Sequence, residues 1–353
     1  MKSVKRLIAI SIAAVMMFAM TACQGDSWIV RYNGREIPTG VYTYYVYNAY
    51  QMLSYYGQVD TTKPLNKQTI DRTEGEETVA VPADKYINEY ALDQVLYLCE
   101  LWDRYDAAGL TLDDAVKATI ETNVTGEYDT AKDTFFVPNG IAESSVKIAS
   151  SNGLFGAMQD QYFESLYGEN GSQAVTDDEL KKYFADEYVG YSYVYRYLID
   201  SEGQALDDAG KTAVKAELEG VKALVESGRK DFEEVCKEYQ DAYTADRQSG
   251  KYGMTKTAVK KNSESELMKA LLNTEVGKLT YVEIDNYAFL VKRYDPLTVG
   301  YFEENKDSLL NEYKYDPLQD EMMETAKAAK YELNKTAFKK FGIRKLKIDG
   351  VKL

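Results

Sequence analysis

The hydrophobic pattern of the chain has two regimes. Leu7 to Met20 is apolar apart from Ser11 and follows the cations Lys2, Lys5 and Arg6, whereas from Trp28 onward apolar residues recur with helical or strand periods. A run as short as the first cannot span a bilayer core of roughly 30 Å, which takes about 20 helical residues, so it predicts an export signal. Trp28 to Ile37 then gives two strand-like runs around Asn33-Gly34, a dipeptide that tolerates the positive φ of a two-residue hairpin turn. Thr39 is placed to cap a Tyr-rich helix that Gly57 closes. Within it Tyr42, Tyr45 and Tyr56 alternate with Val46, Ala49 and Leu53 at helical spacing, which assigns these rings to packing rather than to ligand stacking.

Residues 58–82 are polar and read as a loop or insertion, closed by Pro82. Helical periodicity resumes at Ala83 and ends at Gly109, and Thr111-Leu112-Asp113-Asp114 opens a further helix that the polar stretch Asn123 to Asn139 interrupts or prolongs. One amphipathic helix is expected from Ile141 to Tyr167, a linker from Gly168 to Ala174, and a helix from Val175 to Tyr188 with Thr176 as its cap.

At Gly190 the period changes to two: GYSYVYRYLID alternates aromatic or apolar residues with others, as a strand does. A helix over Asp207 to Ser227, a second from Asp231-Phe232, a turn-rich loop over Asp241 to Gly253, a short helix at Leu267 to Leu272 and strands near Leu279 and over Asn286 to Arg293 complete a β-α-α-loop-α-β-β block. Beyond Pro296 a long polar helix spans Phe302 to Phe341, broken at Pro317, and Arg344 to Leu353 is a candidate strand.

Composition narrows the chemistry. The 353 residues include no His, so no imidazole can serve as general base, as partner to a Ser or Cys nucleophile, or as a zinc ligand. With 42 Lys and Arg against 57 Asp and Glu the net charge is -15, which opposes nucleic-acid binding and favours basic partners. Acidic pairs such as Asp207-Asp208 and Glu303-Glu304 read as solvated helix faces rather than as a glycosidase's facing carboxylates. No glycine-rich phosphate loop is present, and neither a cofactor nor a metal is expected. Cys99 and Cys236 sit in helical contexts and read as two buried thiols, with a single disulfide as the other arrangement open to an exported chain.

Two resemblances add to this reading. Met20-Thr21-Ala22-Cys23 resembles the lipobox of bacterial lipoproteins, with Met20 where Leu is usual. It implies removal of residues 1–22, a diacylglyceryl group on Cys23, and a place on the extracytoplasmic face of a bacterial cell membrane. The mature chain resembles the exported foldase lipoproteins of the PrsA and SurA kind. VRYNGREIPTGVY resembles their opening "V-N-G-x-x-I-T-x-x-x-Y/F", and VTDDELKKYFADEY their "V-T-D-E-E-I-x-x-Y-Y" helix. YRYLID stands at "A-R-H-I-L-V", KDFEEVCKEYQDA at "x-D-F-A-x-L-A-x-x-Y-S-D-D", SGKYG at "G-G-D-L-G", and LLNTEVGKLTYVEIDNYAFLVKR at the family's closing strands.

That resemblance implies an α+β protein. A helical chaperone domain, residues 23–188 with a C-terminal helical segment 297–353 packing back on it, would carry an inserted parvulin-type prolyl isomerase domain over 189–296. Carried over residue by residue, the two parvulin histidines fall on Tyr197 and Ala288, and the acidic or thiol position falls near Ala242 or Tyr243, with Asp241 keeping the preceding Asp. The prolyl pocket falls on Tyr252, Met254 and Leu267, the last where Phe is usual. A scaffold without its hydrogen-bonded centre implies weak or absent isomerase activity and a residual role in holding unfolded exported proteins, without ATP. Homodimerisation is left open. The competing expectation is a solute-binding lipoprotein of a transport system, which would need two lobes of repeated strand-helix units.

Overall fold

The computed structural model describes residues 28–74, 77–261 and 265–348; Cys23 and the export signal lie outside them. In chain order the elements are β1 (Trp28–Tyr32), β2 (Arg35–Pro38), α1 (Thr39–Tyr55), β3 (Thr69–Glu74), β4 (Glu77–Pro82), α2 (Ala83–Ala107), α3 (Asp114–Ala131), α4 (Glu143–Ala149), α5 (Leu154–Tyr167) and α6 (Asp177–Glu187). Then come β5 (Tyr188–Tyr197), α7 (Asp208–Glu226), α8 (Phe232–Ala245), β6 (Lys251–Lys260), α9 (Glu266–Leu272), β7 (Leu279–Ile284), β8 (Tyr287–Tyr294), α10 (Tyr301–Glu304), α11 (Lys306–Ala328), β9 (Tyr331–Leu333) and α12 (Lys335–Lys340). The protein is thus a mixed helix and sheet structure. The described residues divide into two compact units, residues 28–173 with 317–348, and residues 174–316.

In the first unit the β1–β2 turn is made as expected, with Asn33 and Gly34 both at positive φ (46° and 81°). β1 is the central strand, flanked by β2 and by β9, which pairs antiparallel through Val30 to Leu333. The core is helical: Tyr42, Val46, Ala49, Tyr50 and Leu53 of α1 and Val95, Leu98, Cys99 and Leu101 of α2 are buried. Tyr45 joins them, but Tyr56 lies past the helix end and is 70% exposed. Thr39 is the first helical residue rather than its cap, its carbonyl accepting from the Thr43 hydroxyl.

A buried carboxylate joins the distant parts of this unit. Glu100 accepts from the Tyr32 hydroxyl at 2.8 Å and from Arg104 Nε at 2.7 Å, and the far side of the same guanidinium grips Glu321 of α11 with two bonds of 2.7 and 2.8 Å. Arg104 holds the Glu321 carboxyl below its usual range. Three expectations change here. Residues 69–74 and 77–82 form the antiparallel β3–β4 ribbon, because both strands carry β-branched residues that meet across it, Ile70 opposite Val81 and Thr73 opposite Thr78. The stretch 141–167 is two helices, since the chain closes on itself at Gly153, where a Cβ would stand 2.3 Å from the Lys147 carbonyl oxygen. α11 passes through Pro317 and stops at Ala328, and residues 343–345 form a short 3-10 turn, the last five residues of the candidate strand lying outside the described residues.

The second unit is built on a four-stranded antiparallel sheet of order β6-β5-β8-β7. α7 and α8 cover one face, burying Val214, Leu218, Phe232, Val235 and Cys236 against Val194 of β5, Leu198 just past its end, and Ala288 and Leu290 of β8. The α8 backbone reaches β6 so closely that a Cβ on Gly253 would lie 2.0 Å from the Cys236 carbonyl oxygen. α6 belongs to this unit because Leu180 and Phe184 share a cluster with Tyr188, Ala258, Phe302 and Leu309. Beside it Glu312 accepts from Tyr183, Tyr188 and Lys260. Partial burial opposes its ionisation, but the hydrogen bonds from Lys260, Tyr188 and Tyr183 outweigh that and hold the carboxyl below its ordinary value. Cys99 and Cys236 are both free and buried, and burial raises each thiol to about 12. Among the described residues no helix is long and apolar enough to cross a membrane.

Two predictions follow from these carboxylates. Arg104→Ala leaves Glu100 buried without its cation and should cost about 3 kcal/mol in chemical denaturation, whereas Glu321→Gln, at a site 55% exposed, should cost below about 1 kcal/mol. Because the Glu312 carboxyl is depressed in the folded state, its contribution is complete above the ordinary value of 4.5 and is lost as pH falls through the lower folded value. Glu312→Gln should therefore flatten the acid limb of a stability-versus-pH curve while lowering stability near neutral pH.

Candidate functional site

The period of two in β5 sorts its residues onto two faces. Val194 and Leu198 enter the helix-covered core, Ser192 shares a hydrogen bond with the Tyr294 hydroxyl at 3.1 Å, and Arg196 bonds Glu217 of α7 at 2.7 Å. Tyr191, Tyr193, Tyr195 and Tyr197 go to the other face, all half-buried.

The neighbouring strands extend this row. Register sets Tyr195 opposite Tyr252 on β6 and Phe289 on β8, Tyr193 opposite Met254 and Val291, and Tyr197 opposite Tyr287. Ring centroids lie 5.2 Å apart for Tyr195 and Tyr252, 5.1 Å for Tyr195 and Tyr287, and 5.4 Å for Tyr197 and Tyr287. Phe289 meets Tyr193 and Tyr195 edge-on at 5.5 Å, and Tyr243 at the end of α8 meets Tyr252 edge-on at 5.2 Å. α9 covers one end of the face, burying Met268 and Leu271 against Val189 and Val291, with Leu267 packed alongside. Toward the other end the rings stay partly open to water, Tyr287 at 36%. The result is a platform of eight aromatic rings on a rigid sheet.

Burial acts on the phenols at the centre of the row. It raises the Tyr193 phenol to about 12, and it raises Tyr195 further with help from a hydrogen bond to Tyr197. Neutral rings of this kind offer apolar faces and hydroxyl donors, not a base or nucleophile at physiological pH. Among the described residues no three Cys, Asp or Glu side chains are placed to hold a metal ion.

The structure places the residues singled out from sequence in two groups. Tyr197, Tyr252, Met254 and Leu267 lie on or against the aromatic face. Ala288 does not: it is fully buried on the opposite face, because Arg196 and not Tyr197 is its partner across the ladder. Across the ladder the partner of Tyr197 is Tyr287. Asp241 is exposed on α8 and Ala242 half-buried; among the described residues no ring or side-chain hydrogen bond joins either to the platform, and it is Tyr243 that reaches it. Sequence reading missed β6 as a strand, and with it Tyr195 as the ring between Tyr252 and Tyr287. The Tyr spacing at 191, 193, 195 and 197 was the available signal, since four aromatic residues on one face of a strand form a surface wherever they lie.

No protein-family model matches the sequence, and no curated protein matches it. Solved structures do. The chain is similar to the peptidylprolyl isomerase PrsA from Bacillus cereus, with 14% identity over 78% of this chain and 97% of that one at a TM-score of 0.35. It is similar to the foldase protein PrsA from Streptococcus pneumoniae, with 14% identity over 76% and 96% at a TM-score of 0.27. PrsA from Bacillus subtilis matches with 15% identity over 78% and 98% at a TM-score of 0.24. At such TM-scores the likeness carries no functional argument, which has to come from the residues themselves.

Proposed function

We propose that this chain is a lipid-anchored extracytoplasmic foldase that holds unfolded exported proteins, with the aromatic face of the second unit as its client surface and with little or no prolyl isomerase activity. The observation that carries the reading is the platform of Tyr191, Tyr193, Tyr195, Tyr197, Tyr243, Tyr252, Tyr287 and Phe289, half-exposed on a sheet whose other face is a sealed core. Flat, amphipathic rings bind extended chains of many sequences through area and hydroxyl hydrogen bonds, and they lose little side-chain entropy on doing so. A prolyl ring packs on such faces as well. What the platform lacks is a charged or strongly polar group to take up the carbonyl as the imide twists through its barrier of about 18–20 kcal/mol. An inserted parvulin-type domain on a helical chaperone domain remains the architecture that the sequence motifs suggest. The solute-binding alternative is disfavoured on topology: among the described residues every strand pair is antiparallel, not the parallel sheets of two α/β lobes.

The chain from Gln24 onward should suppress aggregation of a reduced, unfolded client while leaving isomerisation of a proline tetrapeptide near its uncatalysed rate. Tyr195→Ala with Tyr252→Ala should weaken client binding at least about tenfold, as expected for two central rings of an interface, with the far-UV spectrum unchanged. Suppression that is untouched by the double variant would sink the assignment of the face, and rapid isomerisation would sink the claim that the centre is inactive. For the anchor, Cys23→Ser in the producing cell should move the protein from the detergent phase to the aqueous phase on partitioning; detergent-phase recovery of this variant would refute lipidation at that residue.

A further inference from the structure

The sheet of the second unit has two edges, and they are treated differently. Along β6 the alternation of the ladder turns the N–H groups of Lys251, Gly253 and Lys256 away from β5. Lys251 N–H donates to Ser249 Oγ at 3.3 Å and Lys256 N–H to Glu233 Oε2 at 2.9 Å, while the α8 backbone stands against Gly253. From Lys251 to Lys256, the stretch beside the rings of Tyr193 and Tyr195, that edge is closed.

β7 is not. The Arg293 N–H donates to the Lys278 carbonyl at 3.2 Å, and Ile284 faces Tyr287 across a two-residue turn, so Thr280, Val282 and Ile284 bond β8 while the main-chain groups of Leu279, Tyr281 and Glu283 point outward. Among the described residues no hydrogen bond outside the β7–β8 ladder reaches those groups. Edge strands are ordinarily blunted by Lys, Pro, a bulge or a covering element. β7, with the sequence LTYVEI, contains neither Lys nor Pro, and its register with β8 is unbroken. Its Val282 and Ile284 side chains continue the aromatic face, opposite Phe289 and Tyr287.

We propose that β7 is a strand-addition site, where an extended basic segment of a client chain pairs antiparallel with the edge and lays its alternate apolar residues beside Val282 and Ile284 on the aromatic face. The proposal rests on the reading of that face as the client surface and specifies how a client is held there. Main-chain pairing gives affinity that does not depend on client sequence, and the face selects for alternate apolar side chains. Charge selects the occupant. The only ionised residue within β7 is Glu283, which is exposed, and exposed Asp285 follows in the turn. The Tyr281 hydroxyl donates to Glu283 at 2.6 Å, its phenol raised first by burial, then by Glu283 and least by the nearby Glu219, with Lys215 over its ring at 5.5 Å as the opposing cation. A net charge of -15 makes pairing between two copies of this chain repulsive and draws a cationic segment in.

The test uses the chain from Gln24 onward and a nonapeptide alternating Lys with Phe or Val, its affinity read by fluorescence anisotropy. In antiparallel pairing the Lys N–H groups face Leu279, Tyr281 and Glu283, so N-methylation at the lysines should weaken binding at least about tenfold, and N-methylation at the Phe and Val residues should leave it within about threefold. Glu283→Lys should weaken the same peptide and leave the far-UV spectrum unchanged. No binding by the unmethylated peptide, or equal effects of the two methylation patterns, overturns strand addition. Loss of peptide binding in the Tyr195→Ala, Tyr252→Ala variant together with insensitivity to methylation would overturn strand addition alone and leave the client face standing. A dimer in sedimentation that Glu283→Lys dissolves would give the edge to a second copy and overturn the choice of occupant.

Discussion

The two-residue period of β5 is the constraint from which the second unit follows. Because successive side chains of a strand leave opposite faces, one segment, GYSYVYRYL, supplies both a core and a surface. Val194 and Leu198 are committed to α7 and α8, and once they are buried the tyrosines at 191, 193, 195 and 197 have only the other face to occupy. A one-residue slip would put four phenol rings into the helix-packed core and Val194 into water, so the register is strongly enforced. The central place of β5 between β6 and β8 then spreads the aromatic row sideways to Tyr252, Tyr287 and Phe289.

The chemistry open to such a surface is binding. A chain without imidazole, in which burial raises the phenols of Tyr191, Tyr193 and Tyr195, offers no imidazole base on this surface near pH 7. What it has is area, rigidity and hydroxyl donors, the properties that allow transient contact with many extended sequences. The β6 edge, closed from Lys251 to Lys256, and the open β7 edge give this part of the surface a direction. A client seated on the rings has main-chain partners along one side only, and the acidic charge of the chain biases which clients arrive.

Much of this was legible in the residues wherever the signal was local. The Asn33-Gly34 hairpin, the Thr176 cap on α6, the strands β5 and β8 and the helices α7 and α8 were read from turn chemistry and period, and the structure has them. The failures share a cause, which is that their signal is not local. β6 contains Lys251, Lys256, Lys260 and Gly253 and looks like a loop; it is a strand because β5 pairs with it and α8 needs a glycine beside its backbone. β9 is three residues long and exists because β1, some three hundred residues earlier in the chain, offers an edge. Motif alignment likewise carries no register: only the ladder shows that Ala288 lies opposite Arg196 and Tyr287 opposite Tyr197.

The most direct measurement of the central claim is a titration of the chain, labelled with carbon-13 in its tyrosine rings, with a reduced and unfolded client, following the ring signals by NMR. Shifts or broadening concentrated at Tyr193, Tyr195, Tyr197, Tyr252 and Tyr287, with Tyr42 and Tyr50 of the first unit's core unchanged, are what the account predicts. Perturbation confined to tyrosines of the first unit, with the platform silent at client saturation, would contradict it.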